Sequence, residues 1–201
     1  ENKLFLVRLD LNVPMFKHKI IDTNRIDKVI PTLKYLLNKK AKIIIISHLG
    51  RPKGRKVNDL SLKPICENLS LQLNQEVKLI DEDLNKLKKE ELSTNYQNQV
   101  LVLENIRFYK EEELNSSSFA KKIAGLGDFY VNEAFSCSHR SHASISEITK
   151  NIDSFAGLLF EKEINALKKI TSKISNPITC IIGGSKISSK IQVIENLIPK
   201  F

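Results

Sequence analysis

Cysteine is scarce in this sequence, and the three present, Cys66, Cys137 and Cys180, show neither metal-ligand nor paired spacing. That excludes a disulfide scaffold and fits a compartment where thiols stay reduced, which we read as the cytoplasm. Long apolar runs are also missing. The longest candidate, Ile43-Ile44-Ile45-Ile46, falls far short of the roughly 20 residues needed to span a bilayer, and fits a buried parallel strand instead. The chain opens Glu1-Asn2-Lys3 directly before the strand-like Leu4-Phe5-Leu6-Val7, without an initiator Met or a signal-peptide pattern, so a trimmed N-terminus is expected. Several chemical signatures are absent too: there is no GxxxxGK[ST] phosphate loop, no GxGxxG after the first strand and no GxSxG nucleophile elbow. A nicotinamide-dependent dehydrogenase and a serine hydrolase therefore lose their support. No helix-turn-helix, zinc finger, RNP or arginine-rich segment is present either.

What the chain does have is positive charge, +9 from 32 Lys and Arg against 23 Asp and Glu over 201 residues. Many lysines (Lys39, Lys40, Lys88, Lys89, Lys121, Lys122, Lys168, Lys169) lie on amphipathic stretches and read as solvated helix faces. The charge favours anionic partners without choosing DNA or RNA. The length allows one large domain, or one domain and part of another.

Short β-branched runs alternate with longer helical patterns. Residues 4–9, 43–47, 76–80, 100–104, 128–132 and 178–182 read as strands; 25–38, 61–73, 116–126 and 161–172 read as helices. This alternation predicts an α/β fold, a three-layer arrangement in which a parallel sheet carries helices on both faces. Ligands of such sheets bind beyond the carboxyl ends of the strands, where Asp10, Asn12, His48, Arg51 and Arg107 fall. Arg8, Arg25, His48, Arg51, Arg107, Arg140 and His142 come from widely separated segments, several just past a strand. Cations placed so can converge on one anion, whereas cations along one helix make only a stripe. A small, multiply charged, phosphorylated ligand is the expectation.

Local chemistry adds detail. Asp10 and Asn12 can hydrogen-bond hydroxyl and carboxylate groups, although Asp10 could equally pair with Arg8 or cap the next turn. Pro14 is expected to stop the first strand. Asp22 or Thr23 can cap the helix that carries Arg25 in its first turn, where a cation opposes the helix dipole unless it meets an anion. Gly50 lets the backbone turn so that Arg51 faces the same anion as His48. His139-Arg140-Ser141-His142 has zinc-like histidine spacing, but even with Cys137 nearby no ligand set is completed, so no metal is assigned. Residues 157–172 read as one helix, after which Ser175-Asn176-Pro177 breaks the pattern. A lone strand, Gly183-Gly184-Ser185-Lys186 and a helix from about Ser188 follow; such a unit cannot bury its own faces. It is expected to open a second domain that is mostly absent, the chain being a fragment cut at both ends.

Seven segments in order carry a resemblance to a known family: VRLDLNVP at 7–14, DTNRI at 22–26, SHLGRP at 47–52, LENIRF at 103–108, GDFYVNEAFSCSHRSHAS at 127–144, AGLLFEKEI at 156–164 and GGSKISSKI at 183–191. Together they resemble the N-terminal half of phosphoglycerate kinase, running into the opening of its nucleotide domain. The resemblance implies a Rossmann-like substrate domain over 1–156, an interdomain helix over 157–172 and a truncated nucleotide-binding domain over 173–201. It implies a cytoplasmic, monomeric enzyme of glycolysis and gluconeogenesis that moves a phosphoryl group between 1,3-bisphosphoglycerate and MgADP, giving 3-phosphoglycerate and MgATP. By the same resemblance Arg8, Asp10, Leu11, Asn12, Arg25, His48, Leu49, Gly50, Arg51, Arg107, Arg140 and His142 line the substrate site. Arg25 and Lys186 would stabilise the transferring group, and Gly183, Gly184, Lys186 and Lys190 would meet nucleotide phosphates. ATP or ADP and Mg²⁺ would be held mainly outside this chain, which alone is expected to be inactive. The nucleophiles, a nucleotide phosphate or a carboxylate, are already anionic, so positioning, water exclusion, charge neutralisation and domain closure would do the catalysis. Three departures stand out: Leu11 replaces Phe, Glu133 replaces Asp, and Ser136-Cys137 replace Gly-Thr, with Ser136 strained if that backbone has positive φ. A reading from another class is a non-enzymatic basic module for anions or nucleic acid, which would show steep salt dependence.

Overall fold

Ile43 to Ile46 are buried on both sides, and the alternation of side chains along the strand shows how. The computed structural model describes residues 3–94, 100–172, 179, 181–183 and 188–198. Its strands are β1 (Leu4–Arg8), β2 (Met15–Phe16), β3 (Lys19–Ile20), β4 (Lys42–Ile46), β5 (Val77–Ile80), β6 (Val100–Leu103), β7 (Phe129–Asn132) and β8 (Ser154–Ala156). Six of these make one sheet in the order β5-β6-β4-β1-β7-β8, all pairs parallel. The helices are α1 (Asn24–Asn38), α2 (Lys63–Leu73), α3 (Lys89–Thr94), α4 (Lys110–Glu113), α5 (Ser117–Ala124), α6 (Leu158–Ser172) and α7 (Ser188–Leu197).

Ile43 and Ile45 join Val7, Val100 and Val102 in a core shared with Ile26, Val29 and Leu33 of α1 and Ile65 and Leu69 of α2. Ile44 and Ile46 point to the other face, with Leu4, Leu6, Leu101 and Leu103 against Phe119 and Ile123 of α5. Each such aliphatic contributes roughly 1.5–3 kcal/mol on burial, which is why the central strands are apolar at every position. β1 lies between β4 and β7, so the chain leaves it on one side and returns much later on the other. The crevice at its carboxyl end is the natural ligand position. Contacts divide the chain into two compact units, 1–160 and 161–201.

Several local expectations need correction. β1 ends at Arg8, well before Pro14; beyond it Leu9 still donates its N–H to Ile46, and Leu9, Leu11 and Val13 stay in the core outside any strand. The β2–β3 hairpin was not foreseen: its turn is made by Lys17 (φ 47°) and His18 (φ 60°), two left-handed residues without the Asn-Gly signal such turns usually carry. The three-residue, exposed β8 gave no alternating pattern to read. The strand expected at 178–182 lies partly outside the described residues, and Thr179, Ile181 and Ile182 are in no strand. Strands need a neighbour, and none is paired in 161–201 among the described residues. At the start of α1 it is Asp22, not Thr23, that accepts a backbone N–H, from Asn24 at 2.8 Å; the Thr23 hydroxyl donates to Asp27.

Candidate active site

Arg8 ends β1 fully buried, and its guanidinium is spent on protein partners. Nε donates to Ser144 Oγ at 2.9 Å, Nη2 to His48 Nδ1 at 3.1 Å, and Nη1 to the Leu9 carbonyl. A guanidinium can only donate, so His48 Nδ1 must accept and the ring proton sits on Nε2. Arg8 thus orients His48. Burial pushes the His48 pKa down to about 2, and Arg8, Arg107, Arg140 and His142 act in the same direction. His48 therefore stays neutral across the physiological range.

This has a pH consequence. An unfolded chain protonates His48 near 6.5 while the folded chain waits until about 2. Between those values the unfolded state binds the extra proton. The native state is thus unpenalised above about pH 6.5 and loses roughly 1.4 kcal/mol per pH unit as pH falls. In His48→Gln, the drop in urea-unfolding free energy from pH 7 to pH 5 should shrink by about 2 kcal/mol. Equal drops in the two proteins would show that His48 titrates normally.

Arg107, in a single helical turn after β6, is 2% exposed. Asn105 accepts the Arg107 N–H at 3.1 Å and donates to the carbonyls of Leu49 at 2.8 Å and Leu60 at 2.9 Å, fastening this loop to the one after β4. Arg107 Nη1 donates to the Gly50 carbonyl at 2.8 Å. Gly50 has φ +62°, and a Cβ there would lie 2.7 Å from Leu60, so the expected glycine turn is required by both conformation and space. Its N–H goes to Asn12 Oδ1 at 2.8 Å. Arg107 Nε and Nη2 are buried without a hydrogen-bond partner among the described residues, Glu113 being 3.6 Å from Nε, too far for a hydrogen bond. Burial pushes the Arg107 pKa down, Arg140 adds to that, Glu113 opposes it and Arg8 adds again.

Glu112 is the counterweight. Fully buried, it accepts Ser144 N–H at 2.8 Å and Ser144 Oγ at 2.6 Å, and lies 3.7 Å from His142 Nδ1. The Ser144 hydroxyl accepts a hydrogen bond from Arg8 and donates one to Glu112, linking cation to carboxylate. His142 Nδ1 is another buried atom without a hydrogen-bond partner among the described residues, and burial lowers its pKa despite the nearby Glu112.

Asp10 pairs with Arg25, not with Arg8. Its Oδ2 accepts from Arg25 Nη1 at 2.5 Å and from Ser136 Oγ at 2.5 Å, and its Oδ1 from Asn12 N–H at 3.2 Å. The cation in the first turn of α1 thereby meets an anion, as its unfavourable place on the helix dipole requires. Ser136 lies in the single turn Phe135–Cys137 and is not among the positive-φ residues, so the strain expected there is absent. Leu11 gives its side chain to the core and its N–H to Ser47 Oγ, while Leu49 is buried with its carbonyl on Asn105. Arg51 is exposed and has no hydrogen bond or ion pair among the described residues, and Arg140, half-buried, has only a 3.4 Å contact from Nε to His139 Nε2. Arg8, His48, Arg107, Arg140 and His142 are thus mutually coupled by charge, Asp10, Asn12, Arg25 and Gly50 adjoin them through hydrogen bonds, and Arg51 stands alone.

One ligand atom from each of Asp10, His48 and Cys137 falls within 4.8 Å of the others. A metal there would have to displace Arg8 from His48, Arg25 and Ser136 from Asp10, against the surrounding positive charge. Of the expected nucleotide contacts, Gly184 and Lys186 lie outside the described residues, as does the side chain of Lys190, whose backbone is in α7; a Cβ on Gly183 would meet open space. Sequence reasoning gave no role to Glu112, Ser144, Ser47 or Asn105, and singled out Ser136 only for its backbone. Ser47, Asn105 and Ser144 lie inside SHLGRP, LENIRF and the 127–144 segment, which is the signal that could have found them; Glu112 sits in a run of acids that reads as surface.

A family model described as phosphoglycerate kinase matches residues 1–201. The phosphoglycerate kinase of Wolbachia pipientis wMel is 50% identical over 199 residues, covering 99% of this chain and 50% of that protein. That of Dictyoglomus turgidum is 46% identical over 200 residues, covering 100% and 50%. The solved phosphoglycerate kinase from Coxiella burnetii superposes with a TM-score of 0.88 at 36% identity, covering 99% of this chain and 50% of that one. The Pyrococcus horikoshii OT3 enzyme gives 0.86 at 32%, covering 98% and 50%. This chain spans about half the length of these relatives. With its parallel sheet and the cations gathered at the sheet's carboxyl edge, it belongs to the phosphoglycerate kinase family.

Proposed function

We propose that residues 1–156 carry the glycerate-phosphate half-site of a kinase that moves a phosphoryl group reversibly between 1,3-bisphosphoglycerate and MgADP, giving 3-phosphoglycerate and MgATP. The observation that carries this reading is the buried Arg107 guanidinium, with two nitrogens unpartnered beside Arg8, Arg140, His48 and His142. A buried cation in that state calls for an anion that arrives from outside, and phosphate matches a guanidinium fork. Arg51, Arg107, Arg140, His48 and His142 are assigned to the remote phosphate, Arg8 to holding His48, and the backbone of Leu49 and Gly50 to the same end. Leu11 would serve through its backbone. Asp10 and Asn12 are assigned to the glycerate hydroxyl, and Arg25 to the carboxyl end and the transferring charge.

No general base is needed, and His48, held neutral with Nδ1 engaged by Arg8, is a neutral hydrogen-bonding group in this scheme. Phosphoglycerate kinases use ATP or ADP with Mg²⁺; the ion would supply charge neutralisation on nucleotide phosphates. We assign Gly183, Gly184, Lys186 and Lys190 to the nucleotide, residues 157–172 to an interdomain helix and 173–201 to the opening of the nucleotide domain. The protein is read as a cytoplasmic monomer.

Calorimetric titration with 3-phosphoglycerate tests the half-site. Binding should be saturable, and Arg51→Ala should weaken it about tenfold or more, as loss of a charge-assisted contact does, while leaving the melting temperature unchanged. A DNA duplex that binds where 3-phosphoglycerate does not would replace this reading with a general polyanion module.

A further inference from the structure

We infer that Ser136 is a positioning residue that frees Arg25 for the ligand by keeping Asp10 hydrogen-bonded; the inference rests on the glycerate-phosphate reading above. Asp10 Oδ2 is shared by two donors, Arg25 Nη1 and Ser136 Oγ, each at 2.5 Å. The two donors differ in freedom. Arg25 is half exposed, its side chain at 48% against 11% for Asp10, and it sits in the first turn of α1 where its charge needs an anion. When a ligand carboxylate enters, Arg25 can exchange one anion for another. Asp10 cannot do the same, because it is largely buried. Without Ser136 the departure of Arg25 would leave Asp10 Oδ2 with no protein donor among the described residues, Oδ1 keeping the Asn12 N–H, so that the ligand hydroxyl alone would have to serve it, and a buried charge short of donors is costly.

Ser136 supplies the missing donor from the loop after β7, the loop that also carries Arg140. Its hydroxyl has one other polar neighbour among the described residues, Cys137 Sγ at 3.9 Å, so apart from water, to which Ser136 is exposed, Asp10 is its main partner. Ser136 stands where the resembled pattern has glycine, which offers no side-chain donor. The hydroxyl therefore changes how readily the Asp10–Arg25 pair opens, and its effect falls on ligands that have a carboxylate for Arg25 to reach.

The test compares two probes on the 201-residue chain. 3-Phosphoglycerate has a phosphate and a carboxylate; glycerol 3-phosphate keeps the phosphate and a hydroxyl but lacks the carboxylate. Ser136→Ala should lose about tenfold in affinity for 3-phosphoglycerate, the scale of one hydrogen bond to a charged group, and stay within about twofold for glycerol 3-phosphate. Ser136→Thr, which keeps the hydroxyl, should restore 3-phosphoglycerate binding. In an Arg25→Ala background the Ser136→Ala loss should disappear, since there is no arginine to release. Equal weakening toward both probes would mean that Ser136 acts on the Arg140 loop, and no weakening toward either would mean that it does not act; each overturns the inference. If the unsubstituted chain binds neither probe, the glycerate-phosphate reading fails first and this inference with it.

Discussion

Arg107→Met is expected to stabilise the ligand-free chain while destroying its binding. The native guanidinium is 2% exposed, has Nη1 on the Gly50 carbonyl, and leaves Nε and Nη2 without hydrogen bonds among the described residues. It also stands within the fields of Arg8 and Arg140, which together with burial push its pKa down. Met fills similar volume without charge. The gain from removing an under-paired buried cation should outweigh the loss of one hydrogen bond, giving about 1–2 kcal/mol more stability in urea denaturation. On the proposed assignment of Arg107 to the phosphate, the affinity for 3-phosphoglycerate should fall by at least about a hundredfold, the scale of a buried charged contact. A variant less stable than its parent would show that Arg107 is a structural brace, and one that still binds would remove it from the phosphate site.

The opposite substitution in charge, Glu112→Ala, should cost about 3–5 kcal/mol of stability, the usual result of deleting one partner from a buried charged network. Glu112 is fully buried, takes both the N–H and the hydroxyl of Ser144, and is the carboxylate beside His142. Without it, Arg8 loses its indirect counter-charge through Ser144, and the cations of the site face one another. Denaturant unfolding measures the loss. Arg107→Met placed on Glu112→Ala should recover part of it, since the two groups share one electrostatic balance. A loss below about 1 kcal/mol would mean that water enters and screens the site.

The site was readable from the sequence to the extent that strand ends are readable. Ile43 to Ile46 fixed where β4 stops, and so placed His48 at the crevice; Val100 to Leu103 did the same for Arg107. What no strand pattern could convey was division of labour among the arginines. Arg8 looks like Arg107 in sequence, yet one is consumed by His48, Ser144 and Leu9 while the other keeps nitrogens unpartnered. That difference depends on Ser144, which is 136 residues from Arg8 along the chain, and on Glu112, hidden in a Lys-Glu-Glu-Glu run whose other glutamates are exposed. Asp10 is a similar case. Of the two partners the sequence leaves open, Arg8 and the next turn, the turn is there, with Oδ1 on the Asn12 N–H, while the cation on Oδ2 is Arg25 of α1. Lys17-His18 escaped notice because a left-handed pair of ordinary residues can be recognised only from backbone angles.

The position of β1 has a further consequence, for the order in which the polypeptide is made. This strand is complete at Arg8 and gains β4 by Ile46, yet its other neighbour, β7, is not synthesised until Asn132. At about 5–20 residues per second, one side of the central strand stays open for several seconds or longer on the ribosome. Throughout that interval the apolar edge of β1 is available to other strands, including those of nascent neighbours on the same message. The arginines of the crevice, whose last member is Arg140, cannot gather until that edge has closed. Capture of a phosphorylated ligand would therefore report the end of the vulnerable period, and variants that delay β7 should aggregate during translation even where the finished fold is stable.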